Sequence, residues 1–567
     1  MLTSPTPKYE LEHRYTVRVP MRDGIRLSAD IALPRGDGPW PVLLTRTPYG
    51  NNDPERMKRL LWFAQRGFAA VYQDCRGRFD SEGEWEPFHH ERDDGQDTIG
   101  WLARQDFCNG SVGMMGRSYE AYCCWMAAPG HPPALKAMVP IVALSDPVLN
   151  VPYQNGAVFW NILVWLLLVH GRSNQDQARV EWKKLITPLP LRSLDKLAGF
   201  DSKTWQEWLD HPTLDAWWRE LCYMHRWGEV DLPALHITGW YDDDGISTYL
   251  NFPGMRRRAR TPRAREEQRL VVGCWPHRPN TSSIVGELDF GPGALIDLNS
   301  IILRFLAKHL AGEDHGPAAD PRCRIFIMGE NRWHRFDDWP VPGARTTRLH
   351  LRSGGKANSL YGDGRLTPEP PSAGEPPDSF TYDPMDPVPY VTDPATLQLG
   401  EATDQQPIER RADVLVYSTE PLAEDLVVCG RVFAELYISS DAPGTDFTAK
   451  LVDVWPNGRA IQVCDGIQRA EYRDSLERPE WLREGEVTKL TVDLWATGLR
   501  FLKGHRLRLE ISSSAVPKFA RHLNTDTPQA DETVPRVAHQ IVYHDARRPA
   551  ALIVDLIPEE LLTGTAI

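Results

Sequence analysis

The sequence predicts an α/β core with a parallel-rich sheet and flanking helices, interrupted by an inserted helical cap and followed by a C-terminal β-sandwich of the jelly-roll kind. Short apolar runs alternate with helix-like stretches up to about residue 145, a pattern that implies a parallel sheet covered on both faces. From Asp146-Pro147 to about Val230 the chain turns rich in Trp and Leu and poor in strand signals. Beyond Trp339-Pro340, short strands and long loops replace the helical period. The expected division is therefore 1–145 and 231–340 for the two parts of the core, 146–230 for the cap and 341–567 for the sandwich.

In chain order, Val42–Thr45 and Phe68–Tyr72 read as strands on either side of a helix over Pro54–Gln65. Asp94–Arg104 reads as a helix with Asp94 as N-cap and Ile99 and Leu102 on one face. Val112–Met115 is a strand, Tyr119–Ala128 a helix and Ala137–Val142 a strand. In the cap, Trp160, Trp165, Trp182, Trp205, Trp208, Trp217 and Trp218 stand among aliphatic residues. The core resumes with strands Ala234–Thr238 and Leu270–Val272, a helix over Leu298–Leu310 and a strand at Arg324–Met328. Arg348–Leu351, Leu415–Tyr417, Val432–Ile438, Phe447–Val454, Thr488–Leu494 and Leu507–Ser512 supply the sandwich.

Composition narrows the function classes. Lys and Arg total 64 against 77 Asp and Glu, a net charge of −13. That balance argues against nucleic acid as a partner, because phosphate binding needs a basic surface. The most apolar run, Ile162–Val169, falls far short of the roughly 20 residues that span a bilayer, so no membrane role is expected. Nine scattered cysteines, with no C-x-x-C pair and no secretory signal, point to a reduced, cytoplasmic chain. A homo-oligomer stays open.

The chemistry begins at residues 112–121, V-G-M-M-G-R-S-Y-E-A. An apolar strand runs into Gly116-Arg117-Ser118 and a helix follows, the context of a nucleophile elbow and hence of an α/β-hydrolase. The turn would hold Ser118 in a strained conformation, with the Tyr119 N–H and the helix dipole aimed at a developing oxyanion. Glu120 stands where G-x-S-x-G asks for glycine, and Ala121 meets a relaxed form of the pattern. A serine nucleophile needs a base, and the base a carboxylate, in the chain order Ser, acid, His. Strand Ala234–Thr238 leads to Asp242, and Leu270–Val272 leads to His277. Asp243 and Asp244 follow the same strand, so spacing alone leaves the acid open among three. His309 lies in a helix-like run, and His315 and His334 are expected in loops away from this series. His89-His90-Glu91 with Asp93-Asp94 matches no metal-ligand spacing and reads as a loop with a helix cap.

The runs Thr47–Gly50 (TPYG), Asp74–Trp85, Asp94–Gln105, Val112–Tyr119, Ile237–Asp242 (ITGWYD) and Val271–His277 (VVGCWPH) resemble the CocE/NonD hydrolases, the cocaine esterase and X-prolyl dipeptidyl-peptidase family. Asp446–Ala460 and Gly504–Ser514 extend the resemblance into the β-rich end. It implies the three-part architecture, selects Asp242 as the acid and His277 as the base, and gives the Tyr49 hydroxyl to the oxyanion hole beside the Tyr119 N–H. It also implies that the cap lies over Ser118, with Phe159, Trp160 and Trp165 lining the acyl pocket. Asp244 is a candidate for holding a substrate ammonium, although Gly245 follows it where the amino-acid ester hydrolases of the family have a further acid.

The expected activity is hydrolysis of small-molecule acyl esters or amides through an acyl-enzyme, with no metal or organic cofactor. An X-Pro dipeptidyl-peptidase or α-amino-acid ester hydrolase (acylase) is the alternative among enzymes. A non-catalytic binding protein with a vestigial core is the alternative of another class.

Overall fold

A computed structural model describes residues 5–313, 320–392 and 402–562. The first sheet takes β1 (Leu11–Pro20), β2 (Arg26–Pro34), β3 (Trp40–Thr47), β4 (Ala69–Asp74), β5 (Cys108–Arg117) and β6 (Leu135–Ile141), with α1 (Pro54–Ala64), α2 (Glu91–Leu102) and α3 (Tyr119–Ala127) between them. A hairpin, β7 (Tyr153–Gln154) and β8 (Ala157–Val158), precedes α4 (Ile162–Leu168), α5 (Leu194–Leu197), α6 (Lys203–Asp210) and α7 (Ala216–Arg219). The sheet then gains β9 (Ala234–Tyr241) and β10 (Gln268–Pro276), with α8 (Ile246–Arg258) and α9 (Pro262–Glu266) between them. After a hairpin of β11 (Ile284–Val285) and β12 (Leu288–Asp289) come α10 (Leu298–Ala311), β13 (Cys323–Ile327) and β14 (Arg332–Phe336).

The sheet order is β1-β2-β4-β3-β5-β6-β9-β10-β13-β14. The run from β4 to β13 is parallel, and β1, β2 and β14 add antiparallel edges. Every residue of β4 and β9 is buried, as central strands covered on both faces require. α1 opens where the Asp53 carboxylate accepts the Arg56 N–H and Pro54 takes the first turn.

Two local expectations need correction. α2 starts at Glu91, three residues before Asp94, and its N-cap, His90, makes no side-chain cap bond. Asp94 sits inside the helix because its carboxylate pairs with Arg76 and faces the buried Arg46. His334 lies in β14, buried, and not in a loop. His315 falls outside the described residues.

Between β6 and β9 the chain leaves the sheet and packs over its C-terminal end. Ser202 caps α6 through the Trp205 N–H, and Asp215 caps α7 through the Trp218 N–H. Trp205, Trp208 and Trp218 are fully buried, so the tryptophan density builds the cap's own core as well as its underside. From Arg345 to Leu556 the chain forms a second sheet of eleven strands, antiparallel apart from one short parallel contact. One apolar cluster runs without a break from Ala32 in the first sheet to Ile557 beyond the second. Among the described residues no helix is long and apolar enough to cross a membrane.

Candidate active site

Ser118 stands between β5 and α3 with φ 60° and ψ −123°, a conformation that β-branched and bulky residues avoid. The turn is this sharp because the chain crosses itself. A Cβ on Gly116 would lie 2.4 Å from both the backbone carbon and the Cβ of Glu120, so a larger residue at 120 is accommodated by glycine at 116. The Ser118 N–H bonds to the Ile141 carbonyl at 2.9 Å, and its carbonyl accepts the Ala121 and Tyr122 N–H groups. Tyr119 is the first residue of α3, where a helix has no acceptor of its own for the N–H.

Asp242 and His277 lie just past β9 and β10, which are neighbours in the sheet. The strands close tightly there: a Cβ on Gly239 would meet the Trp275 carbonyl oxygen at 1.9 Å. His277 Nδ1 lies 2.8 Å from Asp242 Oδ1, while the Thr238 hydroxyl donates to Asp242 Oδ2 at 2.7 Å. Asp244 Oδ2 and Asp243 Oδ1 are farther from Nδ1, at 3.5 and 3.8 Å. Burial disfavours the imidazolium, but Asp244, the hydrogen bond to Asp242 and the charge of Asp243 outweigh it and push His277 up to about 9. Burial raises both Asp243 and Asp244 above the usual carboxylate range, against the pull of His277.

Tyr49 follows β3, with its ring buried and its hydroxyl accepting the Trp165 indole N–H at 3.0 Å. The Ser118 side chain also meets that hydroxyl. Burial raises the phenol above its ordinary value, and the Arg56 guanidinium beside it opposes the rise.

Ser118, Tyr119, His277, Asp243 and Asp244 share one cavity of about 170 Å³ with Phe88, Leu144, Val151, Phe159, Asn161, Ile162 and Trp165. Phe159 and Trp165 are thus on the wall. Trp160 is not: it is buried at the back of the cap, edge-on to Trp182 with ring centroids 6.3 Å apart. The chain turns at Trp160 into α4, and the Trp160 N–H is held by the Lys518 carbonyl at 3.0 Å, which leaves its ring on the side of Trp182 and away from the serine. A larger hollow of about 320 Å³, between Trp85 and the cap residues Leu166, Arg172 and Lys203, holds neither the serine nor the histidine.

Sequence reasoning missed Phe88, whose ring stacks with Tyr119 at 5.0 Å and with Trp165 at 6.0 Å. It also missed Glu91, which accepts from Tyr119 Oη at 2.9 Å and pairs with the fully buried Arg46. Glu91 carried a partial signal, as one of three acids, Glu91, Asp93 and Asp94, in the first turn of α2, where acids suit a helix N-terminus. Phe88 carried none. Among the described residues, two groups bring metal-type ligands within 4.8 Å, Cys75–Glu91–Cys123 and Asp242–Asp243–His277. In the first, Glu91 is committed to Arg46, and in the second, Nδ1 is committed to Asp242.

Residues 23–279 match the X-Pro dipeptidyl-peptidase (S15 family), and residues 315–553 match the X-Pro dipeptidyl-peptidase C-terminal non-catalytic domain. The chain is 36% identical to cocaine esterase of Rhodococcus sp. (strain MB1 Bresler), over 95% of this chain and 98% of that one. It belongs to the CocE/NonD family of hydrolases. Among solved structures, an α-amino acid ester hydrolase at 25% identity and an aminopeptidase from a marine sediment archaeon, Thaumarchaeota archaeon, at 26% each superpose with a TM-score of 0.85. Each comparison covers 98% of both chains. As a CocE/NonD protein, the chain is a serine hydrolase acting on esters, with an α/β-hydrolase core and a mostly-sheet C-terminal domain.

Proposed function

We propose that Ser118 is the nucleophile, His277 the general base and Asp242 the residue that orients it, and that the preferred substrates are esters of neutral aromatic or branched acyl groups. Ser118 Oγ attacks the acyl carbon as His277 Nε2 takes its proton, and the proton then passes to the leaving alcohol. Water repeats the sequence on the acyl-enzyme and releases the acid. Tyr49 Oη and the Tyr119 N–H donate to the carbonyl oxygen as it becomes an oxyanion. The observation that carries the reading is the 2.8 Å Asp242–His277 contact in one cavity with a serine held at positive φ.

The acyl preference rests on the wall. Phe88, Leu144, Val151, Phe159, Ile162 and Trp165 offer apolar area to a ring, and an apolar cavity of about 150 Å³ is already enough to take benzene. A second reading, an ester with a free α-amino group, is favoured by Asp243 Oδ1, which is buried and makes no hydrogen bond. Against it, both carboxylates already face His277 Nδ1, Asp244 at 3.5 Å and Asp243 at 3.8 Å, so their pull is directed at the imidazole. Eight of the nine cysteines are buried and all nine are free, which supports work in a reducing, cytoplasmic compartment.

A fluorophosphonate probe tests the assignment. It should label the protein at Ser118, and Ser118→Ala should lose both labelling and esterase activity while keeping its melting temperature. Labelling at another residue, or activity above a few per cent in Ser118→Ala, would remove Ser118 from the mechanism.

A further inference from the structure

Glu120 breaks the elbow pattern, and its buried carboxylate is unusually well connected. Its Oε1 accepts from the Thr47 hydroxyl at 2.9 Å and the Tyr72 hydroxyl at 3.0 Å, and pairs with Arg56. Its Oε2 accepts the Arg117 N–H at 3.1 Å, one residue before the nucleophile. Arg56 belongs to the first turn of α1, and its guanidinium carbon sits 4.2 Å from the centre of the Tyr49 ring. The phenol oxygen is meanwhile held by the Trp165 N–H at 3.0 Å. With that lone pair occupied, the hydroxyl hydrogen is left for another acceptor.

We infer that Arg56, fixed by Glu120 against the face of the Tyr49 ring, is a positioning residue that strengthens the Tyr49 hydroxyl as an oxyanion donor. When Tyr49 donates to a developing negative charge, electron density grows on its oxygen and ring. A cation over the ring stabilises that density and is worth most where water is excluded. Glu120 shares its charge among four donors, and at Tyr49 it opposes Arg56 by less than Arg56 favours the phenolate. The Arg59 and Arg117 guanidinium groups also lie near Glu120, which keeps the surroundings of the pair positive. The same carboxylate reaches the serine turn through the Arg117 N–H, so one residue sets the spacing between nucleophile and oxyanion donor.

The inference rests on Tyr49 acting in the oxyanion hole, and a double-mutant cycle separates the two ideas. Arg56→Met combined with Glu120→Gln removes the cation without stranding its partner's charge in the interior. Pre-steady-state acylation by p-nitrophenyl butyrate should slow by about tenfold in this variant, with KM little changed. In a Tyr49→Phe background the same pair should change the rate by less than about twofold. Arg56→Lys, which keeps a cation over the ring, should stay within about threefold of the parent. An equal loss with and without the Tyr49 hydroxyl would overturn the role of Arg56 while leaving Tyr49 in place. A Tyr49→Phe enzyme as fast as the parent would overturn both.

Discussion

Replacing Asp244 by Asn should make the enzyme a better catalyst of neutral esters at pH 7. Asp244 Oδ2 lies 3.5 Å from His277 Nδ1, and it is the largest of the charges that raise the imidazole. A full unit charge at about 4 Å is worth about 4 kcal/mol at an effective dielectric of 20, or about 3 pH units. Burial raises Asp244 above the usual carboxylate range and so works against its charge, and about one unit is the expected shift. A carboxylate favours imidazolium and raises the pKa; removing it lowers the pKa and frees the base at lower pH. The acid limb of kcat/KM, expected near 9 in the parent, should therefore move down by about one pH unit in Asp244→Asn. At pH 7, where most of His277 is still protonated, the rate with p-nitrophenyl phenylacetate should rise severalfold. The assay is a set of pH–kcat/KM profiles, checked by thermal melts at each pH. A limb that stays in place or moves up would refute the electrostatic role given to Asp244.

Tyr49→Phe removes one oxyanion donor and should lower kcat by roughly 10²–10³ with less change in KM, measured on p-nitrophenyl esters. Gly116→Ala places a methyl 2.4 Å from the Glu120 backbone, so both activity and about 1–3 kcal/mol of stability should be lost in melts and assays. A phenylacetyl or benzoyl ester should show a higher kcat/KM than the matching phenylglycine ester. The opposite order would move attention to Asp243 and Asp244, the two carboxylates on the cavity wall, as anchors for an ammonium group.

Legibility in the sequence followed how local each determinant is. Ser118, Asp242 and His277 stand at the ends of apolar strands, a signal written within ten residues of each. The choice among Asp242, Asp243 and Asp244 was not local. It depends on Thr238, four residues earlier in β9, which pins Asp242 Oδ2 and turns Oδ1 toward Nδ1. β1 escaped notice because LEHRYTVRVP is a solvent-facing edge strand with polar residues on its exposed positions. The start of α2 was misplaced because Asp94 has a capping residue's chemistry but is claimed by Arg76 and Arg46, both remote in sequence. Trp160 was placed in the pocket with its neighbours because the resemblance puts the cap over Ser118, and only the turn into α4 tells it apart from Phe159. The work of Glu120 was invisible for a similar reason, since Thr47, Arg56 and Tyr72 come from three other elements.

The segment that carries Phe159 does not rest on the hydrolase sheet alone. Phe159 forms a strand bridge with Phe519, the Trp160 N–H bonds to the Lys518 carbonyl at 3.0 Å, and the Ala520 N–H bonds to the Val158 carbonyl at 2.9 Å. The side of the cavity proposed to meet the acyl group is therefore splinted by the C-terminal region. For recombination between relatives, a crossover placed between residues 280 and 345 would part the two halves of that splint. Chimeras should inherit the acyl preference of one parent only when 152–160 and 515–520 come from the same parent. Mixed pairs would pass on a loosened wall and a blurred selectivity, whichever parent supplies the serine.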